Sequence, residues 1–294
     1  MSKLYDCFTF FNELDVLEIR FAELADVVDH FVIVEAARSF TGKPKPLYFA
    51  ENAARYAACK DKIIHVVVDD MPVDAPDAWS REYFQRNAIA RGLRGTAADD
   101  VIMLSDADEI PRASVIRGIM ADGLARGGIV FLELDHFCYR MNLKASGFKW
   151  RKGTRLIEKR HLGPPQDFRA LRIRSQPKAW RTNIDPVRLR LDIRRRFGRW
   201  LTPLFIADAG WHFSYMGDND AIRLKVQSFS HQEFNQPELL SDSYIDGLIA
   251  SGQFFDKSFG AALQAVSLGP NFPDYLRVNA ARYAKYLAPA EAAP

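Results

Sequence analysis

Apolar positions in the first half of the chain alternate between unbroken runs and a spacing of three or four. "LYDCFTFF" at the start reads as a strand rich in aromatics. Leu14, Leu17, Phe21, Leu24 and Val28 then share one helical face, with Asn12 expected as the cap and Asp15 as its reciprocal partner. "HFVIVEA" is a continuous apolar strand of the kind covered on both faces in a parallel sheet. Past a loop holding Gly42, Pro44 and Pro46, "ENAARYAACKD" reads as a helix and "KIIHVVVD" as a third strand. "WSREYFQRNAIARGL" is again helical and "DVIMLSDAD" is the next strand. Pro111 is expected in the first turn of a helix over "RASVIRGIMADGLARG", followed by one strand, "GIVFLELDHFCYR".

This alternation predicts an α/β fold built on a mostly parallel, doubly wound sheet flanked by helices. From Asn142 to Ala207 the periodicity fades into basic, proline-containing sequence, expected to be irregular. "GWHFSYMG" restores strand character, and the chain from "SYIDGLIASGQF" onward reads as closing helices. The expected division is a main domain over residues 1–235, with 142–207 as an acceptor-side segment, and a helical extension over 236–294.

In open α/β sheets, ligands collect beyond the carboxyl ends of the strands. Asn12 with Glu13, Glu35, Asp69 with Asp70, and Asp106 with Asp108 all fall at such ends. The densest group is "VIMLSDADEIPR", where Asp106, Asp108 and Glu109 follow a buried run. On an extended backbone Asp106 and Asp108 face the same way. Two hard oxygen ligands suit Mg2+ or Mn2+ bound jointly with a diphosphate and water. A solvated loop or a helix-capping cluster is the plainer alternative.

Composition narrows the class. The chain has 294 residues, 48% hydrophobic and 26% charged, which suits a globular protein. No apolar run is long enough to span a bilayer, and the N-terminus reads as a strand, not a signal peptide. Cys7, Cys59 and Cys138 are far apart, which argues against a disulfide framework or a zinc site and for a reducing, cytoplasmic setting. The net charge of +3 hides an uneven distribution. Residues 188–200, "RLRLDIRRRFGRW", carry six arginines against Asp192, interleaved with Leu189, Leu191, Ile193, Phe197 and Trp200. That stretch reads either as a solvated face or as a patch lying peripherally on an anionic membrane. Nucleic acid is not expected, because no recognised module surrounds it.

Other candidates carry a structural and a functional reading together. Arg86 and Asn87 sit either on an exposed helix face or beside a nucleotide, where they would reach its base or phosphates. Glu35 could cap its loop or hydrogen-bond a ribose or base edge. His212, between aromatics, is a packed core residue or a metal ligand through its neutral imidazole. Lys225, His231 and Glu233, in "RLKVQSFSHQEFN", form a polar cluster suited to neutralising phosphate and to supplying a base.

The ordered stretches "YDCFTFFNELDVLEIRFAELADVVDHFVIVEA", "GKPKPLYF", "REYFQRNAI", "SDADEIPR", "AGWHFSYMG", "SFSHQEFN" and "YIDGLIASGQFFD" together resemble glycosyltransferase family 17. The resemblance implies a GT-A type nucleotide-sugar fold, an inverting mechanism and a UDP-sugar donor, with UDP-N-acetylglucosamine expected. It matches Asp106 and Asp108 to the metal-binding acids. The membrane anchor and lumenal stem of animal members have no counterpart in the sequence, so a bacterial saccharide or lipid-linked glycan is the expected acceptor.

Inversion needs a stabilised leaving diphosphate and a deprotonated acceptor hydroxyl. The metal at Asp106 and Asp108, helped by Lys225 or an arginine, would supply the first. Glu233 and Glu109 are the leading candidates for the base, with Asp135 and Asp208 behind them. The other classes consistent with acids after a strand are a metal-dependent nucleotidyltransferase or phosphohydrolase, and an inactive nucleotide-sugar-binding relative.

Overall fold

The first strand carries an aspartate in its middle, and an arginine from the following helix answers it. That pairing sits inside a computed structural model describing residues 2–124, 128–171, 186–198, 200–256 and 259–289. The N-terminal elements are β1 (Leu4–Phe10), α1 (Leu14–Leu24), β2 (His30–Ala36), α2 (Tyr48–Asn52), β3 (Ile63–Val68), α3 (Ala78–Asn87), α4 (Ile89–Gly92), β4 (Val101–Asp106), β5 (Glu109–Pro111) and α5 (Ala113–Asp122). They are followed by β6 (Gly128–Leu132), β7 (Leu134–Cys138), β8 (Leu143–Trp150), β9 (Arg155–Glu158), α6 (Pro165–Arg169) and α7 (Pro186–Phe197). The last are β10 (Thr202–Ile206), β11 (Gly210–Ser214), α8 (Asn219–Ser228), α9 (Asp242–Ser251), β12 (Leu263–Ala265) and α10 (Asp274–Val278).

A seven-stranded sheet runs in the order β10-β6-β9-β4-β1-β2-β3. Only β9 is antiparallel to its neighbours. The expected α/β class with a mostly parallel sheet is therefore what the chain forms. Side chains alternate across β1 as a strand buried on both faces requires. Leu4, Phe8 and Phe10 pack with Leu17 and Phe21 of α1 on one side, while Tyr5 and Cys7 pack with Ala88 and Ile89 on the other.

A second, five-stranded sheet has the order β12-β8-β7-β11-β5 and is mainly antiparallel. Three times the chain passes from the first sheet into the second. It does so from β4 to β5 across residues 107–108, from β6 to β7 at Glu133, and from β10 to β11 across 207–209. "SDADE" lies at one of these crossings. Gly210 sits where β11 approaches β5 so closely that an added Cβ would lie 2.2 Å from the Ile110 carbonyl oxygen.

Several local expectations are corrected. The stretch expected as one strand, 128–140, is two strands in different sheets, because the chain bends at Glu133. Pro111 ends β5, and α5 begins two residues later behind Arg112. The helix after β1 starts behind Glu13, not Asn12, and no side chain caps it; Asp15 pairs with Arg55. The helix expected over "ENAARYAACKD" is the short α2 followed by 3-10 turns over Ala53–Lys62. The segment 142–207 is not irregular where it is described, since it supplies β8, β9, α6, α7 and β10; residues 172–185 and 199 lie outside the described residues. Nor is the C-terminal extension purely helical: β12 completes the second sheet by pairing with β8. Cys7, Cys59 and Cys138 are all free. Among the described residues no helix is long and apolar enough to cross a membrane.

The buried Arg20 explains why the β4–β5 crossing has one conformation. Its guanidinium pairs with both oxygens of Asp6, at 2.8 and 2.5 Å, and lies over the Phe8 ring. The remaining N–H groups donate to Ser105 Oγ (2.6 Å) and to the carbonyl oxygens of Asp106 (3.2 Å) and Glu109 (2.6 Å). Both side chains are fully buried. Removing one member strands the other as an uncompensated charge. Arg20→Met is therefore expected to cost about 3–5 kcal/mol in urea unfolding, and a loss under about 1 kcal/mol would contradict the role given to this pair.

Candidate active site

The crossing delivers two carboxylates into a cavity of about 580 Å³ at the seam of the sheets. Thr9 and Phe10 from the end of β1, Glu82 and Arg86 from α3, Arg169 from α6, His136 from β7, His212 from β11 and Lys225 from α8 line it with Asp106 and Asp108. It thus opens beyond the carboxyl ends of β1 and β4, as expected for ligand sites in open α/β sheets.

Asp106 and Asp108 do not share one face of an extended strand. β4 ends at Asp106 and the backbone turns at once, so each acid meets its own set of partners. Asp106 receives Arg86 Nη2 at 3.2 Å and Arg169 Nη2 at 2.6 Å. Burial works to raise its carboxyl, but the two guanidinium groups outweigh that and lower it. Asp108 meets Lys225 Nζ at 2.9 Å and His212 Nε2 at 3.5 Å. Burial opposes ionisation here too, yet Lys225 and His212 hold the carboxyl well below the usual carboxylate range. Lys225 also lies 3.2 Å from Glu13 Oε1. Although desolvation works to lower the ammonium, the charges of Asp108 and Glu13 and the Asp108 hydrogen bond together outweigh it and raise it above its ordinary value.

The two histidines form a buried pair, with Nδ1 atoms 2.9 Å apart. Burial, joined by neighbouring His212, pushes His136 well below its ordinary value, so it is neutral. His136 stacks on Trp150, Phe254 and Phe259, giving this end of the cavity an aromatic wall.

Of the residues singled out in the sequence, Glu13, Arg86, Asp106, Asp108, His212, Lys225 and His231 meet in the cavity. The others do not. Glu35 is fully buried and its carboxylate accepts from the backbone N–H of Phe49 (2.8 Å) and Ala50 (3.3 Å), capping α2; it has no face toward a ribose. Asn87 is exposed and accepts the Gln166 N–H at 2.9 Å. Asn12 lines a separate pocket of about 200 Å³ beside Glu13 and Lys225. Glu109 is fully buried below the cavity, where Arg169 (2.8 Å), Trp150 Nε1 (2.7 Å) and the Asp106 N–H (3.0 Å) occupy its oxygens. It holds the turn and is not among the residues that line the cavity, where a base would act. Glu233 is exposed, off the cavity wall, and receives His231 Nδ1 at 2.7 Å. Asp135 and Asp208, the reserve candidates, are tied up by Lys144 and Lys149 away from the cavity.

Sequence reasoning missed Arg169, Glu82, His136 and Trp150. Arg169 lies in the stretch without periodicity, and its placement depends on a second buried arginine. Arg155 donates to the carbonyl oxygens of Lys152 (2.7 Å), Gly153 (3.1 Å) and Phe168 (2.7 Å), pinning the end of α6 from which Arg169 reaches Asp106. Gly153 is required beside them, since a Cβ there would sit 2.5 Å from Glu109 Oε1 and Trp150 Nε1.

The model of glycosyltransferase family 17 matches residues 1–163, which include α3, the β4–β5 crossing, β7 and Trp150. The chain belongs to glycosyltransferase family 17. This family 17 chain is 28% identical over 267 residues to the human β-1,4-mannosyl-glycoprotein 4-β-N-acetylglucosaminyltransferase, an alignment covering 83% of the chain and 47% of that enzyme. The rat enzyme of the same name gives the same identity and coverage. The chain thus spans about half the length of the curated relatives it matches. Among solved structures, a putative nucleotide-diphospho-sugar transferase from Desulfovibrio desulfuricans G20 aligns with a TM-score of 0.38 and 10% identity, over 85% of this chain and 96% of that one. The 4-diphosphocytidyl-2C-methyl-D-erythritol synthase of Anaerococcus prevotii also gives 0.38, at 9% identity, over 70% and 87% of the two chains.

Glu109 and Glu233 give opposite expectations in one unfolding experiment. Glu109→Gln leaves the buried Arg169 short of a charge partner and is expected to cost about 3 kcal/mol, whereas exposed Glu233→Gln stays within about 0.5 kcal/mol. Equal effects would contradict the positioning role of Glu109.

Proposed function

We propose that the cavity binds a UDP-sugar, with N-acetylglucosamine as the sugar, and that the protein transfers it with inversion to a saccharide or lipid-linked glycan. The observation that carries this reading is the meeting of Asp106 and Asp108 with Arg86, Arg169 and Lys225 at the carboxyl edge of the parallel strands. Family membership supports it, and so do the relatives named N-acetylglucosaminyltransferases.

The donor set fits a hard divalent cation shared with the substrate. Among the described residues no group of three or more histidine, cysteine or acidic side chains could hold a metal ion. Asp106 and Asp108 are hard oxygen donors lining one cavity, and Mg2+ or Mn2+ would rest on them, with diphosphate oxygens and water supplying the remaining ligands, the usual arrangement at substrate phosphates. His212 adjoins Asp108, so it fits better as that carboxylate's orienting partner than as an independent ligand. When bound, the cation would supply Lewis-acid stabilisation of the departing diphosphate. The chain's own cations would act with it. Lys225, now held by Asp108 and Glu13, can turn to a phosphate oxygen, while Arg86 and Arg169 keep Asp106 ionised.

A surface feature bears on the acceptor. Leu191, Trp200 and Leu204 are exposed beside the exposed Arg190, Arg194 and Arg195, with Arg194 over the Trp200 ring. Apolar side chains among arginines suit an anionic headgroup layer, which favours a lipid-linked acceptor. The side chain of Arg188 and all of Arg199 lie outside the described residues.

Thermal-shift and UDP-release assays with UDP-N-acetylglucosamine test the reading. Stabilisation is expected only with Mn2+ or Mg2+ present, and Asp108→Asn is expected to lower UDP release at least about 100-fold without unfolding the protein. Release of nucleoside monophosphate or inorganic phosphate would point to a nucleotidyltransferase or phosphohydrolase. Binding without any product would point to an inactive relative. In liposome flotation, salt-sensitive binding to anionic vesicles and none to neutral ones is expected, and its absence would remove the membrane contact.

A further inference from the structure

The carboxylates singled out as bases, Glu109, Glu233, Asp135 and Asp208, do not line the cavity, so the proton of the acceptor hydroxyl needs a different acceptor. We infer that His231, oriented by Glu233, is the general base of the reaction proposed above, on which this assignment rests.

His231 lines the cavity and Glu233 does not. The ring stands edge-on to Trp79, with centroids 4.7 Å apart, and is flanked by Phe229 and Phe234. Its Nδ1 lies 2.7 Å from Glu233 Oε1. Desolvation works against ionisation of Glu233, but the hydrogen bonds from His231 and from its own backbone N–H together outweigh it and keep the carboxyl below its ordinary value. An ionised carboxylate only accepts, so Nδ1 is the donor in this bond, and the neutral tautomer it selects is the one whose lone pair lies on Nε2. Among the described residues Nε2 makes no hydrogen bond. This is the arrangement in which a second group fixes the tautomer of a histidine base and stabilises the imidazolium that forms.

His231 is tied to the diphosphate site without crowding it. Neighbouring Ser230 donates to Glu82, Glu82 Oε1 lies 2.7 Å from Arg86 Nη2, and Arg86 reaches Asp106. Three side chains thus separate the base from the acid that faces the leaving group. The charged and titratable groups sharing this cavity with His231 include Glu82 and Tyr83 from α3, Lys225 from α8 and Asp256 beyond α9, besides the Asp106, Asp108, Arg86 and Arg169 set already described.

The step balances in atoms and electrons. The acceptor O–H bond breaks and its proton passes to His231 Nε2. The oxygen's electron pair forms the bond to the anomeric carbon as the bond from that carbon to the diphosphate oxygen breaks, and UDP leaves with the electron pair of the broken bond.

The test measures UDP release from UDP-N-acetylglucosamine and Mn2+ with water as the acceptor, beside calorimetric binding of the same donor. His231→Gln is expected to lower release about 10²–10⁴-fold with unchanged donor affinity and unfolding midpoint. His231→Gly is expected to regain release when imidazole is added. Glu233→Gln should lower kcat with the donor KM unchanged, and Glu233→Asp should restore part of it. Wild-type release by His231→Gln, or loss in Asp256→Asn with none in His231→Gln, overturns the assignment while leaving the glycosyltransferase reading in place. Failure of the wild-type protein to bind the donor or release UDP would overturn that reading and the base with it.

Discussion

A buried arginine that serves several backbone carbonyls is the constraint on which the site depends. Arg20 takes its charge balance from Asp6 in β1 and spends its remaining donors on the turn that follows β4. Carbonyl oxygens in a sharp turn cannot all be paired by the turn itself, and unpaired buried carbonyls are costly. A rigid five-donor fork solves this in one step, which a lysine could not. Because α1 and β1 are core elements, the turn carrying Asp106 and Asp108 is fixed to the most deeply buried part of the fold.

The same device recurs on the other side of the cavity. Arg155 gathers the carbonyls of the 152–171 region and so places Arg169, whose guanidinium joins Asp106 above to Glu109 below. The acids therefore sit in a lattice of opposite charge. Such a lattice keeps the carboxylates ionised despite burial. It also explains why the chain crosses between sheets here: a crossing exposes strand ends, and strand ends are where polar groups can face a cavity without breaking a ladder.

Much of the sheet was legible because β1, β2 and β4 are apolar on both faces, a pattern that only a covered parallel strand tolerates. The acid group after β4 was legible for the same reason, since charge follows the apolar run without a break. Other features were not. Glu35 ends a strand just as Asp106 does, yet it caps α2, because the loop returning Tyr48–Asn52 to it has no local signature. Glu109 and Asp108 are adjacent in sequence and opposite in environment, a distinction made by Arg169 and Lys225 from remote segments. The 128–140 run looked like one strand because period alone does not reveal a bend at Glu133. Asp6, an acid within an otherwise apolar strand, was the available sign that a buried cation would be found opposite it.

The central claim is that the Arg20-anchored turn presents Asp106 and Asp108 to the diphosphate of an activated sugar. A crystal structure with UDP-N-acetylglucosamine and Mn2+ tests it most directly. The account predicts a metal ion between these carboxylates and the diphosphate, with Lys225 swung from Asp108 to a phosphate oxygen. A diphosphate bound away from the end of β4, or held there with both aspartates still locked to Arg169 and Lys225, would contradict it.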